Sequence, residues 1–426
     1  MKKVRLVSLL ALAAASVAGL AGCNNGNGNK AVKIGLICLH DSSSTYDANF
    51  INAMNEAVKD LGDKVIFEKN CLLTGVNEDT ACYDAAKDLV EKGCNVIIAD
   101  SFGHQSHMLN AAKEFKNVQF CHATGTNAKG ALAEGVKNYH NAFASIYQGR
   151  FLAGYAAGLK LVEDHKADLD AQKALKVGYV GAFTYAEVMS GYTSWFLGVR
   201  NALRDYNYAD SLVTMDVSFT GSWYDPEGEG SAADALIKDG AVLVSQHADS
   251  MGAPGTCEKA NIPNVTYNVE TKDECPKTYL AYSRINWAPY YKAVVNAVYE
   301  GKSIENEVNS NWTGTIASGS VEYNVNWDNL TKDASKLADY KAKFAAVEKD
   351  VKEKGAAKVF DCSTFTVNGA ALTTYQADTD GDFQGETEAI VTKNGVSYFN
   401  ESADASAPYF NVEIDGINLK NRNYGD

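Results

Sequence analysis

Three times between Lys33 and Phe115 the chain repeats one pattern, an apolar run of strand length followed by a polar loop and then a helix-period stretch, and a fourth such run closes the series at His122. The runs at 34–38, 64–68, 95–99 and 118–122 predict strands, and 50–61, 80–92 and 108–115 predict the helices between them. The first run, Ile34-Gly35-Leu36-Ile37-Cys38, is almost unbroken in its apolar character, as expected where helices cover both faces of a sheet. Strand–helix repeats with short connections build a parallel sheet with right-handed crossovers. In such an open sheet ligands sit beyond the carboxyl ends of the strands. The loop after Cys38 therefore carries the chemistry: it offers Asp41, Asp47 and Asn49, and Phe50 follows at the expected helix start. Carboxylates accept hydrogen bonds from hydroxyls, and a ring face stacks on a flat heterocycle. That combination suits a nucleoside or an aryl glycoside better than a bare ion or a peptide. Phe50 either stacks in this way or staples the helix into the core. A second loop, from Asp100 to Ser106, points to the same sheet edge.

The pattern then runs again. An extended stretch at 138–143 leads into a helix at 146–161, where Gly149, Gly154 and Gly158 permit close packing. Strands are expected at 176–182, 214–219, 241–246, 264–268 and 279–285, and helices at 188–206, 230–238 and 290–299. The expected architecture is α/β, with two doubly wound parallel-sheet lobes joined by a hinge and a β-rich C-terminal extension. Residues 31–142 and 287–318 form the first lobe, 143–286 the second and 319–426 the extension. The extension opens with a charged helix at 334–354 and continues as hairpins with Asn-Gly turns at 368–369 and 394–395. The acidic run Asp378-Thr379-Asp380-Gly381-Asp382 has Phe383 where a calcium loop of the EF-hand type needs glycine, so it reads as a solvated turn.

Residues 1–22 form a secretory leader, with Lys2, Lys3 and Arg5 ahead of an apolar core at 6–20. The leader ends in Leu20-Ala21-Gly22-Cys23, which resembles the lipobox of bacterial lipoproteins. The resemblance implies an acylated Cys23, a flexible tether at 23–30 and a lipid anchor on the extracytoplasmic face of the cell membrane. No later apolar run approaches the ~20 residues that a spanning helix needs. Net charge is -14, without a long basic stretch, which argues against nucleic acid as a partner. Of nine cysteines, Cys38, Cys94 and Cys121 read as buried small hydrophobes, whereas Cys71 with Cys82 and Cys257 with Cys275 are candidate local disulfides. No CxxC, HExxH or GxSxG spacing occurs, so no metal, cofactor or nucleophilic catalysis is expected.

Several motifs in consistent order from Lys33 to Trp312 together resemble the basic membrane protein family, nucleoside-binding lipoproteins that serve ABC importers. They are the Asp41, Asp47, Asn49, Phe50 loop, FGHQSHMLNAAKEFKNVQFCHATG at 102–125, QGRFLAGYAAG at 148–158, VGYVGAFTYAEVMSGYTSWFLGVR at 177–200, SWYDPEGEGSAADALIKDGAVLVSQHADS at 222–250 and NWAPYYKAVVNAVYEG at 286–301. The resemblance implies a type I periplasmic-binding fold, capture of a purine nucleoside by hinge closure, and a permease and an ATPase as partners. It places the base between Phe50 and Phe183, with Asp249 accepting from the ligand and Asp41 and Asp47 shaping the first-lobe side. Phe102 and Ser106 of the second loop, and Glu270 or Lys272 near the last strand of the second lobe, complete the expected contacts. Trp223 reads as packing, and His104, His140 and His247 as polar loop residues. A tethered receptor without transport, or a sugar binder, would use the same clamp.

Overall fold

The structure, a computed structural model, describes residues 29–129, 133–380 and 384–422. The leader, Cys23 and most of the expected tether lie outside the described residues, as do Asp382 and Phe383.

Two seven-stranded sheets organise the chain. In the first, Asn311–Gly314, Tyr139–Ala144, Gln119–Ala123, Val96–Ala99 and Val32–Ile37 lie side by side, and the short strands Val65–Ile66 and Leu72–Leu73 share the free edge of Val32–Ile37. Every pairing in it is parallel. Ile34 and Leu36 point to the side where helices Thr45–Leu61 and Ala288–Tyr299 pack, and Ile37 points to the side of Thr80–Glu91 and Gln105–Glu114. Both faces are covered, which is why the strand is apolar without alternation. At Gly35 an added Cβ would lie 2.8 Å from the end of the Leu89 side chain, which packs directly on the bare backbone there.

The second sheet runs Val321–Val325, Tyr279–Ile285, Asn264–Tyr267, Ala241–His247, Leu175–Gly181, Val213–Phe219 and Ile417–Leu419, parallel except at Val321–Val325. Against it helices Tyr147–Asp164 and Ala186–Asp205 cross backbone on backbone: a Cβ at Gly154 would fall 1.9 Å from the Trp195 carbonyl oxygen, and one at Gly198 would fall 2.1 Å from that of Phe151. The chain passes between the sheets after Ala144, after Ile285 and after Gly314. This is the expected pair of α/β lobes.

The long helix Ala334–Lys354 buries Tyr340, Phe344, Val347 and Val351 on the second lobe. Beyond it the hairpin Ile390–Lys393 with Val396–Phe399 turns at Asn394 and Gly395, both at positive φ as a tight hairpin turn requires. All eight cysteines among the described residues are free and buried. Neither candidate pairing is formed. Cys71 instead packs beside Cys94, with the sulfurs 3.8 Å apart.

Several helices begin earlier than the apolar pattern indicated. The helix expected from Phe50 starts at Thr45, because Ser44 caps it: the Ser44 hydroxyl accepts from the Asp47 amide and donates to the Asp47 carboxylate at 2.5 Å. Likewise Ala186–Asp205 begins two residues before the expected 188, which puts Glu187 in its first turn.

Candidate functional site

The carboxyl ends of the two sheets face each other across a cleft. In it lies a small pocket, enclosing about 380 Å³ of space with its open mouth included. The first lobe supplies Leu39, His40, Tyr46, Asp47, Ser101, Phe102 and Thr124 to its walls, and the second supplies Glu187, Trp223, His247, Asp249 and Tyr267. The lobes touch around it. The Thr45 amide donates to the Asp249 carbonyl oxygen at 2.9 Å, the His40 and Tyr224 rings lie 5.7 Å apart, and Phe102 and Tyr185 lie 5.8 Å apart. The conformation is a closed one.

Three carboxyl groups meet in this pocket. Asp47 is fixed by its own lobe, accepting from the His40 amide at 2.8 Å and from Ser44. Burial pushes its pKa up, but the hydrogen bonds from His40 and Ser44 outweigh it and hold the carboxyl below its ordinary value. Asp249 is the opposite case. Burial first, and then the neighbouring acids Glu229, Asp47 and Glu187, raise it well above the usual carboxylate range. Glu187 keeps 14% of its side chain exposed, yet burial pushes it up to about 7 while Arg150 pulls it back. Behind Asp47, the fully buried Asp100 is raised by burial and by the Asp47 charge.

Balancing charge is scarce. Arg150 is fully buried, donates to the Gln246 carbonyl oxygen at 2.9 Å and lies 3.7 Å from the centroid of the Tyr267 ring. His247 is held well below its ordinary pKa by burial and by Arg150, so its 3.5 Å approach to Glu187 is a contact of a neutral imidazole. The walls thus present acceptors and ring faces. A ligand that donates through ring N–H, amino and hydroxyl groups meets them, whereas an anion does not.

Of the residues expected in the site, Asp47, Phe102 and Asp249 come together in the pocket. Phe50 does not reach it: its ring is fully buried and stacks on Trp287 at 4.4 Å, leaving Tyr46, one turn earlier, to face the cleft. Asn49 is also spent on structure, donating at 2.6 Å to the carbonyl oxygen of Ile285, where the chain crosses back from the second sheet to the first lobe. Asp41 is exposed and accepts from Ser43, and Ser106 is exposed on the outer side of its helix. Phe183 lies behind the wall, stacked on Tyr185 at 5.1 Å and edge-on to Trp223 at 5.0 Å. Glu270 and Lys272 are exposed; Glu270 accepts from Asn324, and neither lines the pocket.

Tyr46, Glu187, Trp223, His247 and Tyr267 carry the rest. Trp223, expected to be packing, is half-buried and forms pocket wall, and His247 ends a strand instead of lying in a loop. The capping pair Ser44 and Asp47 was the sequence signal that would have placed Tyr46 correctly. In the extension, oxygen atoms of Asp378, Asp380 and Glu386 approach within 4.8 Å of one another, and the Thr379 amide donates to Glu386.

Two α/β lobes closed over an acid and aromatic pocket define the class of type I solute-binding proteins. Among solved structures, an ABC transporter solute-binding protein from Aeropyrum pernix K1 matches 76% of this chain and 90% of its own at TM-score 0.57 and 13% identity. One from Conexibacter woesei matches 76% and 97% at TM-score 0.54 and 18% identity. The family model of PnrA-like ABC transporter substrate-binding proteins matches residues 34–358, and the chain belongs to that family. A purine-binding protein of Brucella abortus is 28% identical over 315 residues, covering 72% of this chain and 79% of that one. No helix among the described residues is long and apolar enough to cross a membrane.

Proposed function

We propose that this chain is the extracytoplasmic ligand-capturing lipoprotein of an ABC importer and that its ligand is a purine nucleoside. The observation that carries the reading is the convergence of Asp47, Glu187 and Asp249 with Tyr46, Phe102, Trp223 and Tyr267, drawn from both lobes, into one closed pocket. A purine offers ring N–H and amino donors to the acids and two faces to the rings, and ribose adds hydroxyl donors. Stacking on an aromatic ring contributes ~1 to 3 kcal/mol per base, and a hydrogen bond to an ionised carboxylate contributes ~1.5 to 3 kcal/mol. One stack and two such bonds supply about 4 to 9 kcal/mol before the ordering cost of closure, so micromolar affinity, about -8 kcal/mol, requires further contacts such as a second ring face and the ribose hydroxyls. The purine-binding relative supports this choice.

Asp47 is set in place by the first lobe before ligand arrives, and Glu187 and Asp249 belong to the second, so ligand favours the state in which both sets are within reach. The closed state is what the permease and ATPase partners read. Acylation of Cys23 holds the protein at the membrane. Calorimetric titration with adenosine, inosine, guanosine, uridine and glucose tests the ligand. Micromolar or tighter binding of purine nucleosides alone is expected, and binding of glucose in preference to them would refute the reading. Hydrolysis of the bound nucleoside by the purified protein would refute the binding-only role. A Cys23→Ala variant that still partitions with the membrane would refute the anchor.

A further inference from the structure

The closed pocket is not the end of the cleft. Phe102, Thr124, Glu187 and Trp223 line it on one side and, on the other, a recess of about 1930 Å³ including its mouth. The far wall of that recess is Tyr375, Tyr409, Asn411 and Arg422, all in the extension and beyond the 34–358 segment shared with the family. This wall is built into the fold. Strand Ile417–Leu419 joins the second sheet, Phe360 stacks on Phe410 at 4.7 Å, and Lys129 of the first lobe donates to the Asp404 carbonyl oxygen at 2.7 Å. Tyr375 donates to the Asn411 carbonyl oxygen at 3.1 Å, which ties the two together.

The chemistry of the recess selects its occupant. Glu187, Asp378 and Glu413 are acidic, and Arg422 is already paired with Glu413 at 2.5 Å, so a phosphate would meet more negative than positive charge. Tyr185, Trp223 and Tyr375 offer ring faces, and Gln105, Asn127 and Asn411 offer amides, the pairing that binds the apolar face and the hydroxyl rim of a sugar ring. We infer that the extension forms a second subsite for a neutral, hydroxyl-bearing ring joined to the molecule in the closed pocket, so that this chain captures a glycosylated nucleoside more tightly than the nucleoside itself. The inference rests on the nucleoside reading above.

The test is calorimetric titration of the whole chain with adenosine, adenosine 5′-monophosphate, and adenosine carrying a β-glucosyl group on the 5′ or the 2′ oxygen. One glucoside is expected to bind about tenfold or more tighter than adenosine, equivalent to about 1.4 kcal/mol, and the monophosphate to bind more weakly than adenosine. In Tyr375→Ala and Asn411→Ala variants, with thermal unfolding as the folding control, the gain should disappear while adenosine affinity stays within about twofold. If adenosine binds and neither glucoside binds more tightly, or if the gain survives in both variants, the recess is only an entrance and the inference falls while the nucleoside reading stands. If neither adenosine nor the glucosides bind, both fall together.

Discussion

Replacing Asp249 by asparagine should weaken ligand binding without weakening the fold, a combination that a structural aspartate cannot give. The side chain is 5% exposed and its nearest donor within the protein is the Asn268 amide at 3.4 Å, which an asparagine oxygen meets equally well. The two tight contacts of this residue, to the Thr45 amide across the cleft and to the Trp223 carbonyl oxygen, both at 2.9 Å, are made by its backbone and survive the change. What is lost is the carboxylate as an acceptor for ligand, worth ~1.5 to 3 kcal/mol, or about ten- to one hundred and fifty-fold in Kd. What is gained is relief from burying an acid among Glu229, Asp47 and Glu187. Because the folded-state pKa is raised, the folded protein binds more protons than the unfolded chain, and the wild type loses stability as pH rises above the unfolded carboxyl range. The variant lacks that loss, so its thermal midpoint should equal or exceed the wild-type value, with a margin that widens with pH. Titration with adenosine and thermal unfolding at two pH values decide the matter. Unchanged Kd, or a midpoint lowered by several degrees, refutes the reasoning.

Glu187, raised to about 7, is about half protonated at neutral pH, and a donor-bearing ligand prefers its ionised form. Glu187 should therefore release on the order of half a proton on binding at pH 7, and binding should tighten between about pH 6 and 8, as read by calorimetry in buffers of different ionisation enthalpy; proton uptake, or release undiminished in Glu187→Gln, would contradict this. Trp223→Ala should cost ~1 to 3 kcal/mol of nucleoside affinity, whereas Phe50→Ala, which removes a ring stacked on Trp287, should cost ~3 to 5 kcal/mol of stability. Urea unfolding and ligand titration separate the two, and the reverse outcome would return Phe50 to the site. Gly198→Ala forces a methyl group to 2.1 Å from the Phe151 carbonyl oxygen and should destabilise by ~1 to 3 kcal/mol or more, while Gly255→Ala, with nothing within 4 Å, should not. Equal denaturant midpoints would count against the backbone-on-backbone crossing.

The sheets were legible because a strand covered on both faces must be apolar along its whole length, as Ile34, Leu36 and Ile37 are. The pocket was less so, and the reason lies in one helical turn. Apolar periodicity started the first helix at Phe50; the Ser44 cap starts it at Thr45, so Tyr46 takes the cleft position and Phe50 falls a turn deeper into the core. Glu187 was hidden in the same way at the start of Ala186–Asp205. Asp249 was legible from its motif. Trp223 lay within a quoted motif too, yet nothing local fixes whether a loop ring faces core or cleft. The wall of the outer recess was beyond reach, since Ile417–Leu419 is three residues long and its partner strand begins about two hundred residues earlier.

The most direct measurement is a crystal structure of the protein grown with adenosine. The account predicts a purine ring against Tyr46 or Trp223, its donors within hydrogen-bond distance of Asp249 and Glu187, and the lobes in contact through Thr45 and Asp249. A nucleoside held outside this pocket, or lobes shut with the three acids far from any ligand atom, would contradict it.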